Sequence, residues 1–82
     1  MNHEIEACVG NNLRALRLRA GLTQDEVAAK LQVLGCDVTR SAIAKIEVGQ
    51  RHVYVDELIA LQKVLFTTFD EMLNITPESS IH

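Results

Sequence analysis

Apolar residues recur along this chain at three- and four-residue spacing, and no stretch alternates apolar with polar long enough to make a strand. The pattern predicts an all-α domain of five helices. In the first, running from residue 4 or 9 to residue 20, Val9, Leu13, Leu16 and Ala20 share one face, and Gly21 terminates it. The second opens on "TQDE", where Thr23 as N-cap and Glu26 three residues later form a capping box, with Leu22 as the staple. Its buried face is Val27, Ala28, Leu31 and Leu34, and Gly35 stops it. Thr39 caps a third helix that runs to Val48 before Gly49. A fourth, from about residue 55 to residue 65, buries Val55, Leu58, Leu61 and Leu65. At Thr68 "TFDE" repeats the T-x-x-E signature and opens a short fifth helix with Met72 and Leu73. Residues 76–82, "TPESSIH", read as a polar tail. No repeat or linker interrupts the chain, so residues 1–82 are expected to form a single domain with its core in about 9–75.

Two faces of the third helix differ sharply. At 100° per residue, Ala42, Ile43, Ile46 and Glu47 fall on one side, and Arg40, Ser41, Ala44, Lys45 and Val48 on the other. The isoleucines anchor the helix. The outer face offers two long cations, a hydroxyl and a small central alanine, with no acid. A DNA major groove could approach that surface closely while Arg40 and Lys45 reach base edges or phosphates. An ordinary solvated face that happens to lack acids is the plainer alternative. Two charges also sit on apolar stripes, Arg17 in the first helix and Glu47 in the third. Each is costly alone in a core, so they are expected to form a largely buried, bidentate pair; otherwise both snorkel to solvent.

Composition narrows the range of functions. A chain of 82 residues buries a modest core, and 48% hydrophobic content with only 4% aromatic fits a helical domain packed with Leu, Ile, Val and Ala. The net charge of −3 argues at first against nucleic acid. Its distribution argues otherwise: residues 13–51 hold seven bases against four acids, and beyond them Lys63 is the one base against five acids. Cys8 and Cys36 form neither a disulfide framework nor a zinc-ligand spacing, and read as thiols in a reducing compartment. In the loop after the second helix, Cys36 has Asp37 beside it, which disfavours the thiolate. No apolar run spans a bilayer and the acidic N-terminus lacks a signal-peptide pattern, so a cytoplasmic protein without membrane contact is expected. His3, His52 and His82 are scattered with no nucleophile or carboxylate arranged around them. Neither an enzyme, a cofactor nor a metal is expected.

"LTQDEVAAKL" followed by "TRSAIAKIEVGQR" resembles the helix-turn-helix of the Cro and phage-repressor family, also called lambda-repressor-like or XRE. The family pattern has a Leu-Thr-Gln opening, a Leu-Ala-x-x-Leu second helix and a third helix ending in Ile-x-x-Ile-Glu-x-Gly. The resemblance covers about residues 13–73 and implies a compact five-helix domain with helices 2 and 3 as the reading unit. It implies further that Gln24 contacts a phosphate at the start of helix 2, that Arg40, Ser41, Ala44 and Lys45 line the recognition face, and that Arg51 reaches the backbone on the far side. It also points to the Arg17–Glu47 pairing. Two departures stand out. "QVLGCDVT" between Leu31 and Arg40 is about five residues longer than the family's usual turn, so helix 2 is expected to continue to Leu34 with residues 35–38 as a longer loop. Val48 stands where the family often has a polar residue.

These readings converge on a sequence-specific DNA-binding transcriptional regulator, a repressor, acting on double-stranded DNA as a homodimer. The dimer surface is expected among Phe66, Phe69, Met72, Leu73 and Ile75, with Phe69 and Leu73 the first candidates for the core instead. The competing reading is a helix-turn-helix protein-interaction module, such as an antitoxin or antirepressor subunit with a protein partner. The acidic last third of the chain keeps that alternative open.

Overall fold

The computed structural model describes residues 3–75 and contains α1 (His3–Arg19), α2 (Gln24–Val33), α3 (Arg40–Glu47), α4 (Val55–Val64) and α5 (Phe69–Met72). The polar tail, residues 76–82, lies outside the described residues. Helix starts follow local chemistry. The Thr23 hydroxyl accepts the Glu26 amide at 3.1 Å while the Glu26 carboxylate accepts the Thr23 amide at 2.8 Å, a reciprocal capping box. Thr39 and Thr68 cap α3 and α5 through their hydroxyls, accepting from the Ala42 and Glu71 amides.

Four helices end in the same hydrogen-bonded motif. After α1, α2 and α3 the chain turns through Gly21, Gly35 and Gly49 at φ +74°, +91° and +78°, and the next amide returns to a carbonyl five residues back. After α4 the Thr67 amide returns to the Gln62 carbonyl in the same way, but the left-handed position is Phe66 at φ +52°. That conformation costs an L-residue roughly 1–2 kcal/mol.

The core gathers Leu13 and Leu16 of α1, Val27, Ala28 and Leu31 of α2, Ile43 and Ile46 of α3, and Ala60, Leu61 and Val64 of α4, with Leu65 and Met72. Helix α1 crosses α3 so closely that a Cβ on Gly10 would overlap the carbonyl oxygen of Ile46. Two helices pack at that distance only because this position carries no side chain.

Several expected core positions lie elsewhere. Leu34 caps the end of α2 and is 49% exposed. Its place in the core falls to the inserted segment, where Cys36 and Val38 are buried, the Val38 carbonyl accepts from the Gln32 amide group at 2.9 Å, and the Cys36 thiol faces the Asp56 carbonyl. The long turn is therefore packed, and α2 continues past Leu31 as expected, ending at Val33 with Leu34 as its C-cap. Val55 is 74% exposed because the buried stripe of α4 runs through Glu57, Ala60, Leu61 and Val64. Val55 stands about 160° around the helix from Glu57. In the four-residue α5, Met72 alone is buried, and Phe69 and Leu73, the expected core residues, are each 43% exposed. A single turn of helix directs one side chain inward, and Met72 fills that place.

Candidate nucleic-acid interface

The junction of α1, α2 and α3 is organised by Arg17 and Glu47. Arg17 donates through Nε to Glu47 Oε2 at 2.6 Å, through Nη2 to Oε1 at 3.0 Å, and through Nη1 to the Leu22 carbonyl at 2.9 Å. Both side chains are nearly excluded from solvent. The hydrogen bonds it donates to Glu47 raise the Arg17 pKa, opposed by desolvation, so the guanidinium stays charged. The amide nitrogen of Gln24 donates to Glu47 Oε1 at 3.1 Å. One carboxylate thus ties the end of α1, the start of α2 and the end of α3 together, even with the lengthened turn between α2 and α3. Gln24 is held by its amide nitrogen beside the first amides of α2, its amide oxygen without a partner among the described residues.

Around this hub lies an open cleft lined by Arg14, Leu18, Thr23, Gln24, Asp25 and Arg40, among others. Arg14 is exposed and has no hydrogen-bond or ion-pair partner among the described residues. Arg40 meets Asp25 at only 4.0 Å, with both side chains largely in water. An exposed pair of that length contributes little and opens readily. Asp25 is nevertheless the one acid of the cleft, brought from α2 to the edge of a face that carries none of its own. On α3, Arg40, Ser41 and Lys45 are exposed and Ala44 is partly buried, while Ile43, Ile46 and Glu47 point inward. Lys45 has no partner among the described residues. Val48 closes the outer face, exposed and apolar.

Other cations are committed internally. Arg51 donates to both Glu57 oxygens at 2.9 and 3.0 Å and to the His52 carbonyl at 2.8 Å, and its guanidinium lies 5.4 Å from the Tyr54 ring centre. Three of its five N–H groups are occupied, so it fastens the α3–α4 loop to α4 before it can serve as a backbone contact. The Arg51 guanidinium and the Tyr54 amide hold the Glu57 carboxyl below its usual range despite its burial. Arg19 pairs with Glu71 at 2.9 and 3.3 Å. His52 Nδ1 lies 2.8 Å from Glu6 Oε2, joining the loop to α1. Burial, with the Asp56 and Glu57 carboxylates nearby, raises the Cys36 thiol pKa; Asp37, the neighbour in sequence, is not among the causes.

Arg14 is the residue that sequence reasoning passed over. Nothing in the sequence separates it from Arg19 on the same helix: neither has an acid three or four positions away. Tertiary structure sorts them, giving Arg19 to Glu71 and leaving Arg14 free beside Gln24 and Arg40.

With this geometry in place, comparison with known proteins assigns the class. A model of the helix-turn-helix family matches residues 13–72, most of the chain, and the protein belongs to that family, of the Cro and phage-repressor type. Among solved structures it is similar to the crystal structure of the DNA-binding domain of BldD, with a TM-score of 0.74 and 30% identity over 89% of this chain and 99% of that one. No curated protein sequence matches the chain.

Proposed function

We propose that this protein is a sequence-specific DNA-binding transcriptional regulator, a repressor, that reads the major groove with α3. The observation that carries this reading is the outer face of α3, whose cations have no strong internal partner, set against the opening of α2 where Gln24 is held by Glu47. Arg40 suits bidentate contact with a guanine edge, and the Asp25 carboxylate at its side would be released on docking. Ser41 can bond either base edge, Ala44 leaves room for a thymine methyl, and Lys45 meets a base or a phosphate. Gln24 and the first amides of α2 take one backbone phosphate, and Arg14 across the cleft takes that phosphate or its neighbour. Arg51 keeps two N–H groups for the backbone beyond α3 and has the smallest part. The helix-turn-helix family and the resemblance to a DNA-binding domain support the same reading.

One such head reads too few base pairs to pick out a site, so the regulator acts as a homodimer with two copies of α3 about 34 Å apart on a near-palindrome. Met72 is buried and cannot serve as the contact. The exposed side chains of Phe69, Leu73 and Ile75, continuous with the groove formed by Ile5, Tyr54 and Val55, offer the surface. The second reading, a protein-interaction module, draws on the exposed acids Asp56 and Asp70 of the same region.

Fluorescence anisotropy with labelled genomic fragments at low and physiological salt separates the two. Salt-dependent binding with a preferred fragment, followed by sedimentation showing two chains per duplex, supports the regulator. Absence of binding even at low salt gives the protein-interaction reading, and one chain on a site without dyad symmetry removes the dimer.

A further inference from the structure

The last turns of α2 and α4 lie side by side at the end of the molecule away from the cleft. Between them opens a shallow groove of about 370 Å³ lined by Lys30, Val33, Leu34, Lys63, Val64 and Phe66. Val33 and Phe66 are each 85% exposed, Lys63 has no partner among the described residues, and the exposed Lys30 has only a minor charge interaction with Glu26, one turn back on α2. Phe66 is the telling residue. Three other helix ends of this chain place glycine in the left-handed position, and this one places a bulky aromatic there with its ring in water. The ring gains little inside the fold and the backbone would be easier with glycine, so what Phe66 contributes lies outside the chain.

We infer that this groove docks an acidic amphipathic helix of a partner protein. Phe66 and Val33 form apolar knobs around an opening that fits one or two aliphatic side chains at helical spacing, and Lys30 and Lys63 flank it to meet carboxylates on either side. No acid lines the groove. A two-fold contact with a second copy would gather four lysines without a counter-charge, which disfavours self-association here. Two cations among aliphatic side chains are also a poor track for a nucleic-acid backbone. Gln24 and Val33 lie at opposite ends of α2, about 14 Å apart along its axis, so the partner leaves the α3 face open. The inference stands whether or not α3 reads DNA.

The test uses the full chain and a synthetic 16-residue helical peptide with leucines at three- and four-residue spacing and glutamates on both flanks, beside a counterpart with lysine for each glutamate. Amide resonances are followed by NMR during titration. The acidic peptide is expected to give saturable shifts centred on Val33, Leu34 and Phe66, with the lysine peptide at least tenfold weaker. Phe66→Gly is expected to weaken binding at least tenfold while raising the thermal midpoint, a pair of opposite signs that general loss of structure cannot produce. Lys30→Glu with Lys63→Glu is expected to reverse the preference between peptides. No saturable shift up to millimolar peptide, equal binding of both peptides, or unchanged binding by Phe66→Gly would overturn the inference. Concentration-dependent self-association of the free chain, or binding of oligothymidylate, that is lost in Phe66→Gly would overturn it in favour of a second copy or a nucleic acid.

Discussion

Two sets of basic residues share this small domain and live under different conditions. Around the α1–α3 crossing and the loops beyond it, Arg17, Arg51 and Arg19 each close a two-pronged bond on a glutamate. Along the cleft and the outer face of α3, Arg14 and Lys45 have no partner among the described residues, and Arg40 has a weak one. A sum over the sequence weighs all of them equally. The comparison teaches that a positive surface is defined by what the fold leaves unpaired, and that a glutamate far along the chain decides which arginine is structural.

The sharpest way to break the comparison is to strip a structural arginine. Arg17→Ala leaves Glu47 buried without its counter-charge, and Glu47→Ala does the converse, so each is expected to lower stability by roughly 3 to 5 kcal/mol in urea unfolding. An unchanged denaturation midpoint for either would place the pair at the surface. The next contrast sets Arg40 against Arg51. Arg40→Ala should leave the unfolding midpoint within about 0.5 kcal/mol of the parent and cost about 1 to 3 kcal/mol in affinity for the preferred duplex, with choice relaxed at one base pair. Arg51→Ala should do the reverse, lowering stability by roughly 1 to 3 kcal/mol and leaving the affinity of the folded fraction nearly intact. Equal loss of binding from both would join the two sets into one. Arg14→Ala sharpens the line more finely: binding to all sequences falls together, and the slope of log affinity against log salt becomes shallower by about 0.9. A slope identical to the parent's would return Arg14 to the solvated background.

The smallest expected effect concerns acid. The Arg19 guanidinium, with the Thr67 hydroxyl, holds the Glu71 carboxyl down at about 2. Its pKa is depressed in the folded state, so its contribution is fully present above the ordinary carboxylate pKa, about 4.3, and is lost as pH falls toward 2. Both side chains are largely exposed, which keeps the contribution small. Glu71→Gln should therefore lower stability slightly near neutrality, flatten the profile between about pH 4.3 and pH 2, and converge on the parent near pH 2. A pH profile that overlays the parent's would show that the bond is not formed in solution.

Much of this architecture was legible in local chemistry. Thr23 with Glu26, Thr39 and Thr68 are threonines whose hydroxyls close on amides three residues later, and Gly21, Gly35 and Gly49 supply the stops, so helix order follows from short-range rules. Arg17 and Glu47 stand out as charges on apolar stripes. What escaped depends on contacts distant in sequence. Gly10 looks like a flaw in a helix until α3 is laid across it. Cys36 and Val38 read as loop until the insertion folds back to take the place expected of Leu34. Arg51 carries the family's place for a backbone contact, yet Glu57 six residues on claims most of its donors. Phe66 gives no stop signal at all, and its left-handed backbone shows only in three dimensions.

The packed insertion also makes the chain a reporter of its own openings. Cys8 is half-buried and Cys36 is buried, within the segment that lengthens the family's turn. A thiol-modifying reagent in excess therefore meets two targets with separate clocks. Modification of Cys8 follows local fraying of α1, whereas Cys36 reacts only during excursions in which the insertion leaves the core. The rate at Cys36 relative to an unfolded peptide gives the free energy of that excursion directly, without denaturant. Measured with and without bound duplex, it would tell whether the segment between α2 and α3 stiffens when the two helices are engaged.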